Sequence, residues 1–113
     1  MVNQKYKILI IDDDELSSQI LERQLLDGDQ FLVDVLSNVS KGHNIENYLS
    51  YDLILLDVLM PGLSGVDVLK LIRTKFSRFE LPVIMQTSKD RNSDIVEALK
   101  IGANDYLVKP INI

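Results

Sequence analysis

The sequence predicts an α/β fold: one domain built on a doubly wound parallel sheet of five strands. Short apolar runs alternate with amphipathic stretches along all 113 residues, as in a parallel sheet covered by helices. The length suits a single domain. The composition, 46% hydrophobic and 26% charged residues, is that of a globular chain with one core.

The first strand and helix have the clearest signals. Ile8–Ile11 is an unbroken apolar run, which suits a strand buried on both faces. Asp14 is a candidate N-cap for a helix whose apolar residues recur at helical spacing from Leu16 to Leu25. Gly28 supplies the stop of that helix.

The next stretch predicts an edge strand, a weaker helix and a second buried strand. Phe31–Leu36 alternates more than the first strand and contains Asp34, so we expect it at an edge of the sheet. Residues 41–50 form the weaker helix. Leu53–Leu56 is apolar throughout and predicts a buried strand that ends at Asp57.

The remaining elements repeat the same alternation. The chain predicts a helix over Gly65–Phe76, a strand over Val83–Met85 opened by Pro82, a helix over Asp90–Lys100 ended by Gly102, and a strand over Tyr106–Val108. A doubly wound domain would normally add a helix after this fifth strand. Residues 1–113 are therefore expected to form one domain that lacks its last helix, as a fragment of a longer protein would.

Charge and composition exclude several classes of protein. Acidic residues outnumber basic ones by 17 to 12, which argues against direct nucleic-acid binding. The chain has no cysteine, so disulfides and thiolate metal sites are excluded. No apolar run is long enough to span a membrane, and the cytoplasm is the expected compartment.

The candidate site residues follow the predicted strands. Ligands of doubly wound sheets bind outside the carboxyl ends of the strands. If the strand order is 2-1-3-4-5, Asp12, Asp13 and Asp57 crowd into one pocket and repel one another. A hard cation relieves that repulsion, and Mg²⁺ suits carboxylates, water and a phosphate oxygen.

Two further strand ends complete a reactive set. Lys109 adds positive charge after the fifth strand, and Thr87 adds a hydroxyl group after the fourth. Carboxylate, metal, lysine and hydroxyl are the groups needed to transfer a phosphoryl group to an aspartate, with Asp57 as the nucleophile.

These residues stand in stretches that resemble the receiver domain of two-component response regulators, the CheY-like family. The matching stretches are Ile8–Asp13, Asp52–Gly65, Gln86–Ser88 and Gly102–Pro110. Each is weak alone, but all four in this order are highly specific. The resemblance covers essentially the whole chain and implies a flavodoxin-like sheet of order 2-1-3-4-5.

The resemblance also implies roles for the site residues. Asp57 would accept a phosphoryl group, with Mg²⁺ (or Mn²⁺) held by Asp12, Asp13, Asp57 and the backbone carbonyl of Leu59. Thr87 and Lys109 would grip the phosphoryl group, Thr87 and Tyr106 would act as the switch, and the Lys109–Pro110 bond would be cis. Leu59, Ser88 and Lys89 would tune the site, and we expect apolar Leu59 to shield it from hydrolytic water.

The function implied is a signalling switch and not an enzyme with a separate substrate. Its partners would be a sensor histidine kinase or phosphotransfer protein and a downstream output domain or protein. Phosphorylation would permit a homodimer, and neither a membrane nor nucleic acid would be bound directly.

Three alternatives remain open at this point. A degenerate receiver would bind partners without phosphorylation. A Mg²⁺-dependent phosphohydrolase of the haloacid-dehalogenase type would use the D-x-D of Asp12 and Asp14, but Leu16 departs from that pattern. A flavin-binding module would need a phosphate loop where this chain places four acidic residues.

Overall fold

The computed structural model describes residues 5–39, 45–60, 64–88 and 92–111. Strands and helices alternate along these residues, as the sequence predicted. They run in the order β1 (Tyr6–Ile11), α1 (Glu15–Asp27), β2 (Phe31–Leu36), a 3-10 helix (Ile45–Ser50), β3 (Leu53–Asp57), α2 (Gly65–Lys75), β4 (Val83–Thr87), α3 (Asn92–Ile101) and β5 (Asp105–Val108).

The five strands form one parallel sheet of order β2-β1-β3-β4-β5. This confirms the doubly wound, flavodoxin-like fold and the edge position of β2. Strand order reverses between β1 and β3, where such sheets bind their ligands. The register pairs Ile11 of β1 with Leu56 of β3, so the residues that follow these two lie side by side.

The two faces of the sheet are covered unequally. One face packs against α2, α3 and the 3-10 helix and contains the larger apolar cluster, in which Leu56, Leu69 and Met85 are fully buried. The other face packs against α1. Its smaller cluster consists of Ile8, Ile10, Leu21, Leu25 and Leu55.

The α1 face leaves a groove of about 350 Å³ open beside β4 and β5. Its walls are largely apolar, and Leu16 and Ile20 of α1 are more than half exposed there. The groove is lined by Asp14, Leu16, Ser17, Ile20, Leu21, Gln86, Lys109, Pro110 and Ile111. The last helix that the sequence analysis expects stays a prediction.

Side-chain caps start both α1 and α2 at the predicted positions. The Asp14 carboxylate accepts hydrogen bonds from the backbone N–H groups of Leu16 and Ser17, which confirms Asp14 as the N-cap of α1. The Ser64 hydroxyl accepts one from Asp67 N–H and starts α2 in the same way.

The structure differs from the sequence prediction at β4 and at the expected helix over 41–50. β4 continues two residues past Met85, so Gln86 and Thr87 lie inside the strand. The expected helix over 41–50 is a 3-10 helix over its described part. Gly28 is the C-cap of α1, which confirms it as the stop of that helix; its φ is −84°, and the next residue, Asp29, has a positive φ of 54°.

Some predicted features lie outside the described residues, namely 41–44, Lys89 and the helix start at Asp90. Within the described part of the chain, none of the helices combines the length and apolarity needed to cross a membrane.

Candidate functional site

The carboxyl ends of β1 and β3 place two buried carboxylates side by side. Asp12 follows β1 directly and is fully buried, and Asp57, the last residue of β3, is 7% exposed. Asp13 is exposed beside them. One carboxylate oxygen of each of the three lies within 4.8 Å of the other two. The fold thus brings together the carboxylates that the sequence grouped, in an arrangement that could hold a metal ion.

Lys109 reaches across from the end of β5 to this carboxylate pair. Its Nζ lies 2.9 Å from Asp12 Oδ2 and 3.4 Å from Asp57 Oδ1. The other Asp12 oxygen accepts a hydrogen bond from the backbone N–H of Asp14. The Lys109 backbone is fixed to β4, because its N–H donates to the Thr87 carbonyl at 2.7 Å. The Lys109–Pro110 peptide bond is cis, as the resemblance implied.

The electrostatics of the site leave it short of positive charge. Burial raises the pKa of the Asp57 carboxyl to about 6, Lys109 opposes this rise, and Asp12 adds to it. Burial alone would lower the pKa of Lys109, but its bonds to Asp12 and Asp57 prevail and raise that pKa. Among the residues that the structure describes, three carboxylates thus lie around one ammonium group, which favours a further cation.

The first residue of α2 touches the backbone of the candidate nucleophile. A Cβ atom at Gly65 would overlap the Asp57 carbonyl group, and the Gly65 N–H donates to the Val58 carbonyl at 2.9 Å. Only glycine fits this close approach, so Gly65 fixes the start of α2 against Asp57. Sequence reasoning missed this role and identified Gly65 only as a helix start.

A pocket of about 230 Å³ opens over Asp57 at the sheet edge. Of the predicted tuning and switch residues, Leu59, Thr87 and Ser88 line it together with Lys109. The Thr87 hydroxyl donates to the Ser88 carbonyl at 3.0 Å. Tyr106 is not part of this lining; it lies on β5 with a side chain that is 43% exposed.

A second residue that sequence reasoning missed is Gln86. It pairs with Asp57 in the sheet register, is 1% exposed, and has a side-chain amide without a hydrogen-bond partner in the described structure. The signal was available, because a glutamine next to the predicted strand end Val83–Met85 is unusual in a strand buried on both faces.

Comparison with known protein families matches residues 8–113 to the response regulator receiver domain. The chain is 39% identical over 110 residues to the uncharacterized transcriptional regulatory protein YkoG of Bacillus subtilis. It is 35% identical over 108 residues to the nisin biosynthesis regulatory protein NisR of Lactococcus lactis. These alignments cover 97% and 96% of the chain but 47% and 45% of the relatives. The chain therefore spans about half the length of these relatives.

Solved structures agree with this match. A receiver domain of Francisella response regulator 1452 superposes with a TM-score of 0.78 at 30% identity and covers 96% of this chain and 87% of that one. A two-component response regulator of Clostridium difficile gives a TM-score of 0.78 at 32% identity, with coverage of 96% and 86%. Sequence match, fold and acidic site therefore agree: the chain belongs to the response regulator receiver domain family, whose members act in phosphorylation-dependent two-component signalling.

Proposed function

We propose that this chain is a phosphorylation switch that accepts a phosphoryl group on Asp57. The observation that carries the proposal is the position of Lys109 Nζ, 2.9 Å from Asp12 and 3.4 Å from Asp57, at the rim of an open pocket. A nucleophilic carboxylate with a fixed cation beside it is suited to phosphoryl transfer, which depends on positioning and charge stabilisation.

In the proposed step, an Asp57 carboxylate oxygen forms a bond to phosphorus. The phosphorus–nitrogen bond of a phosphohistidine donor breaks, and its electron pair leaves with the imidazole nitrogen. Lys109 balances charge on the transferred group, and the Thr87 hydroxyl donates a hydrogen bond to one of the phosphoryl oxygens. Thr87 would exchange its present acceptor, the Ser88 carbonyl, for that oxygen.

The carboxylates of Asp12, Asp13 and Asp57 suit Mg²⁺, with Mn²⁺ as an alternative ion, because these ions prefer oxygen ligands. The Leu59 carbonyl is the proposed fourth protein ligand. When bound, the ion would offset the negative charge of the carboxylates and of the phosphoryl group. Asp13 is the exposed member of the set, so it suits a ligand that faces incoming solvent and donor.

Phosphorylation would be read out through Thr87 and Tyr106. Thr87 would move towards the phosphoryl group, and Tyr106, now 43% exposed on β5, would turn into the space it leaves. The phosphoryl group can shift this equilibrium only as far as it binds the two states unequally. The surface of α3 and β5 would change as a result.

Receiver domains of this family interact with histidine kinases and output domains. We propose a sensor histidine kinase or phosphotransfer protein as the phosphodonor of this chain. An output domain or separate protein would read the changed surface, and a homodimer formed on phosphorylation is a further expectation. The chain would catalyse only its own phosphorylation and dephosphorylation. A cytoplasmic location stays a prediction.

The test is intact-mass spectrometry of the protein after incubation with acetyl phosphate and Mg²⁺. We expect a single phosphoryl adduct that needs Mg²⁺ and is absent from Asp57→Asn. The matched control is Asp27→Asn, which changes an exposed carboxylate at the end of α1 and should keep the adduct.

The other outcomes separate the alternatives. A folded protein that gains no adduct would be a degenerate receiver, and the proposal would fail. Catalytic turnover of p-nitrophenyl phosphate, with release of p-nitrophenol beyond one equivalent, would instead indicate a phosphohydrolase.

A further inference from the structure

Gln86 has a polar side chain in an unusual environment. The residue is 1% exposed, and neither Oε1 nor Nε2 of its carboxamide has a hydrogen-bond partner among the described residues. A buried amide without partners is costly, and most buried polar groups are satisfied by protein or by ordered water. This side chain therefore requires a partner that the sheet and α1 do not provide.

The groove on the α1 face contains the candidate partner. Gln86 lines this groove with Lys109, and Lys109 also lines the acidic pocket over Asp57. The sheet register agrees with this placement of Gln86 between the two sites, because Gln86 pairs with Asp57 on one side and with Leu107 on the other. Gln86 thus shares the α1-face groove with Lys109, and of the two only Lys109 also lines the acidic pocket.

The hydrogen-bond inventory of Lys109 leaves one donor to account for. Its ammonium group has three N–H bonds: one donates to Asp12 at 2.9 Å, and a second faces Asp57, which forms an ion pair with the group at 3.4 Å. The groove, at about 350 Å³, has room for a water molecule, which occupies roughly 30 Å³. Asp14 and Ser17 line the same groove and offer the further polar contacts that a buried water needs.

We infer that Gln86 is a positioning residue for Lys109, with one water in the groove joining the Gln86 carboxamide oxygen to the third N–H of the Lys109 ammonium group. The role rests on the proposed function, because Lys109 is the cation placed to receive the phosphoryl group. Without Gln86, the ammonium would be held by carboxylates alone and would be free to rotate about them.

The matched pair of variants is Gln86→Met and Gln24→Met. Methionine keeps the length and flexibility of glutamine and removes the amide, so both variants should fold. Gln24 of α1 also has a carboxamide oxygen that is buried and without a partner in the described structure. It lines a neighbouring part of the α1 surface that includes neither Lys109 nor Gln86.

The first readout is the ¹H–¹⁵N correlation signal of the Lys109 ammonium group in unphosphorylated protein, assigned by its loss in Lys109→Arg. A fixed ammonium group exchanges its protons slowly with water. We expect the signal in the wild type and in Gln24→Met, and its loss in Gln86→Met. In the wild type, the Gln86 amide protons should also show a nuclear Overhauser effect to a long-lived water.

The second readout is the rate of phosphorylation by acetyl phosphate at saturating Mg²⁺. The loss of one hydrogen bond to a charged group predicts a maximal rate at least about tenfold lower in Gln86→Met, with an unchanged half-saturating Mg²⁺ concentration. Gln24→Met should match the wild type.

A Lys109 signal and a rate that are both unchanged in Gln86→Met would overturn the inference. A higher melting temperature in both methionine variants would then show that the two amides are simply unsatisfied. If the wild type accepts no phosphoryl group, the proposed function fails, and the Lys109 signal alone decides the Gln86 contact.

Discussion

Two clusters of charged side chains, built around partly or fully buried groups, lie at opposite ends of the parallel strands. They differ in how completely their charges and hydrogen-bonding groups are satisfied. At the amino edge, the Arg73 guanidinium donates to the carbonyls of Gly102 and Leu81 at 2.8 and 2.9 Å and to the Asn104 side chain at 3.1 Å. At the carboxyl edge, Lys109 pairs with the two buried carboxylates of Asp12 and Asp57, and the exposed Asp13 carboxylate lies beside them as a third negative charge.

The difference separates a structural cluster from a functional one. Arg73 lies in the last turn of α2 and joins the segments before β4 and β5, with further bonds to the carbonyls of Phe76 and Ser77. The acceptors of these hydrogen bonds are neutral oxygen atoms, and the Arg73 guanidinium satisfies them. Over its described residues, the Asp57 site carries excess negative charge, which costs stability and is typical of functional sites.

The largest change in stability should come from removing the Arg73 side chain from its cluster. Arg73→Ala removes the donor of several carbonyls at once, so we expect the free energy of unfolding to fall by about 4 kcal/mol. Urea denaturation measures this. The control is Arg23→Ala on the exposed surface of α1, which should change stability by less than about 0.5 kcal/mol. Equal losses in the two variants would contradict the structural role of Arg73.

At the carboxyl ends of the strands, we expect a substitution to raise the free energy of unfolding instead of lowering it. The pKa of Asp57 is raised from 3.8 to about 6, so the unfolded chain releases this proton first as pH rises. The Asp57 charge therefore costs nothing below pH 4, and its cost grows between pH 4 and 6 and stays above pH 6. Without divalent ions, Asp57→Asn should raise the free energy of unfolding at pH 7 by up to about 3 kcal/mol.

Denaturation of the Asp57→Asn variant at pH 4 and pH 7 tests this sign. The gain should be present at pH 7 and nearly absent at pH 4. Asp27→Asn, at an exposed position, should show no such difference. A loss of stability at pH 7 would mean that Lys109 compensates the Asp57 charge fully.

A smaller effect on stability should come from adding Mg²⁺, the proposed cation. Mg²⁺ that binds only the folded state stabilises it by about 1.4 kcal/mol at ten times its dissociation constant. Thermal denaturation with MgCl₂ should show this in the wild type and in Arg73→Ala, but not in Asp13→Asn. NaCl at matched ionic strength is the control. An equal shift of the melting temperature with NaCl would mean that the stabilisation comes from general charge screening and not from Mg²⁺ binding.

The smallest expected effect concerns the rim of the acidic pocket. Leu59 is 58% exposed and lines the pocket over Asp57. If its apolar side chain shields the phosphoaspartate from water, Leu59→Asn should shorten the lifetime by about threefold, a change of less than 1 kcal/mol in the barrier. Loss of the phosphoryl mass adduct over time measures this lifetime. A longer lifetime in Leu59→Asn would refute the shielding role.

The sequence by itself determined the elements and the chemical set. Apolar runs such as Ile8–Ile11 and Leu53–Leu56 are local signals, because a strand buried on both faces excludes polar residues. The N-cap at Asp14 is equally local, since its carboxylate binds N–H groups two and three residues away. The grouping of Asp12, Asp13, Asp57 and Lys109 followed once such strands were placed in a parallel sheet.

The tertiary structure decided what depends on distant contacts. The overlap that reserves Gly65 for glycine exists only because α2 begins against the Asp57 carbonyl. The unpartnered amide of Gln86 exists only because β4 extends past Met85 and leaves that side chain in the groove under α1. Both features arise from the packing of separate elements: the sequence shows a glutamine beside an apolar strand, but only the packing leaves its amide without a partner in the described structure.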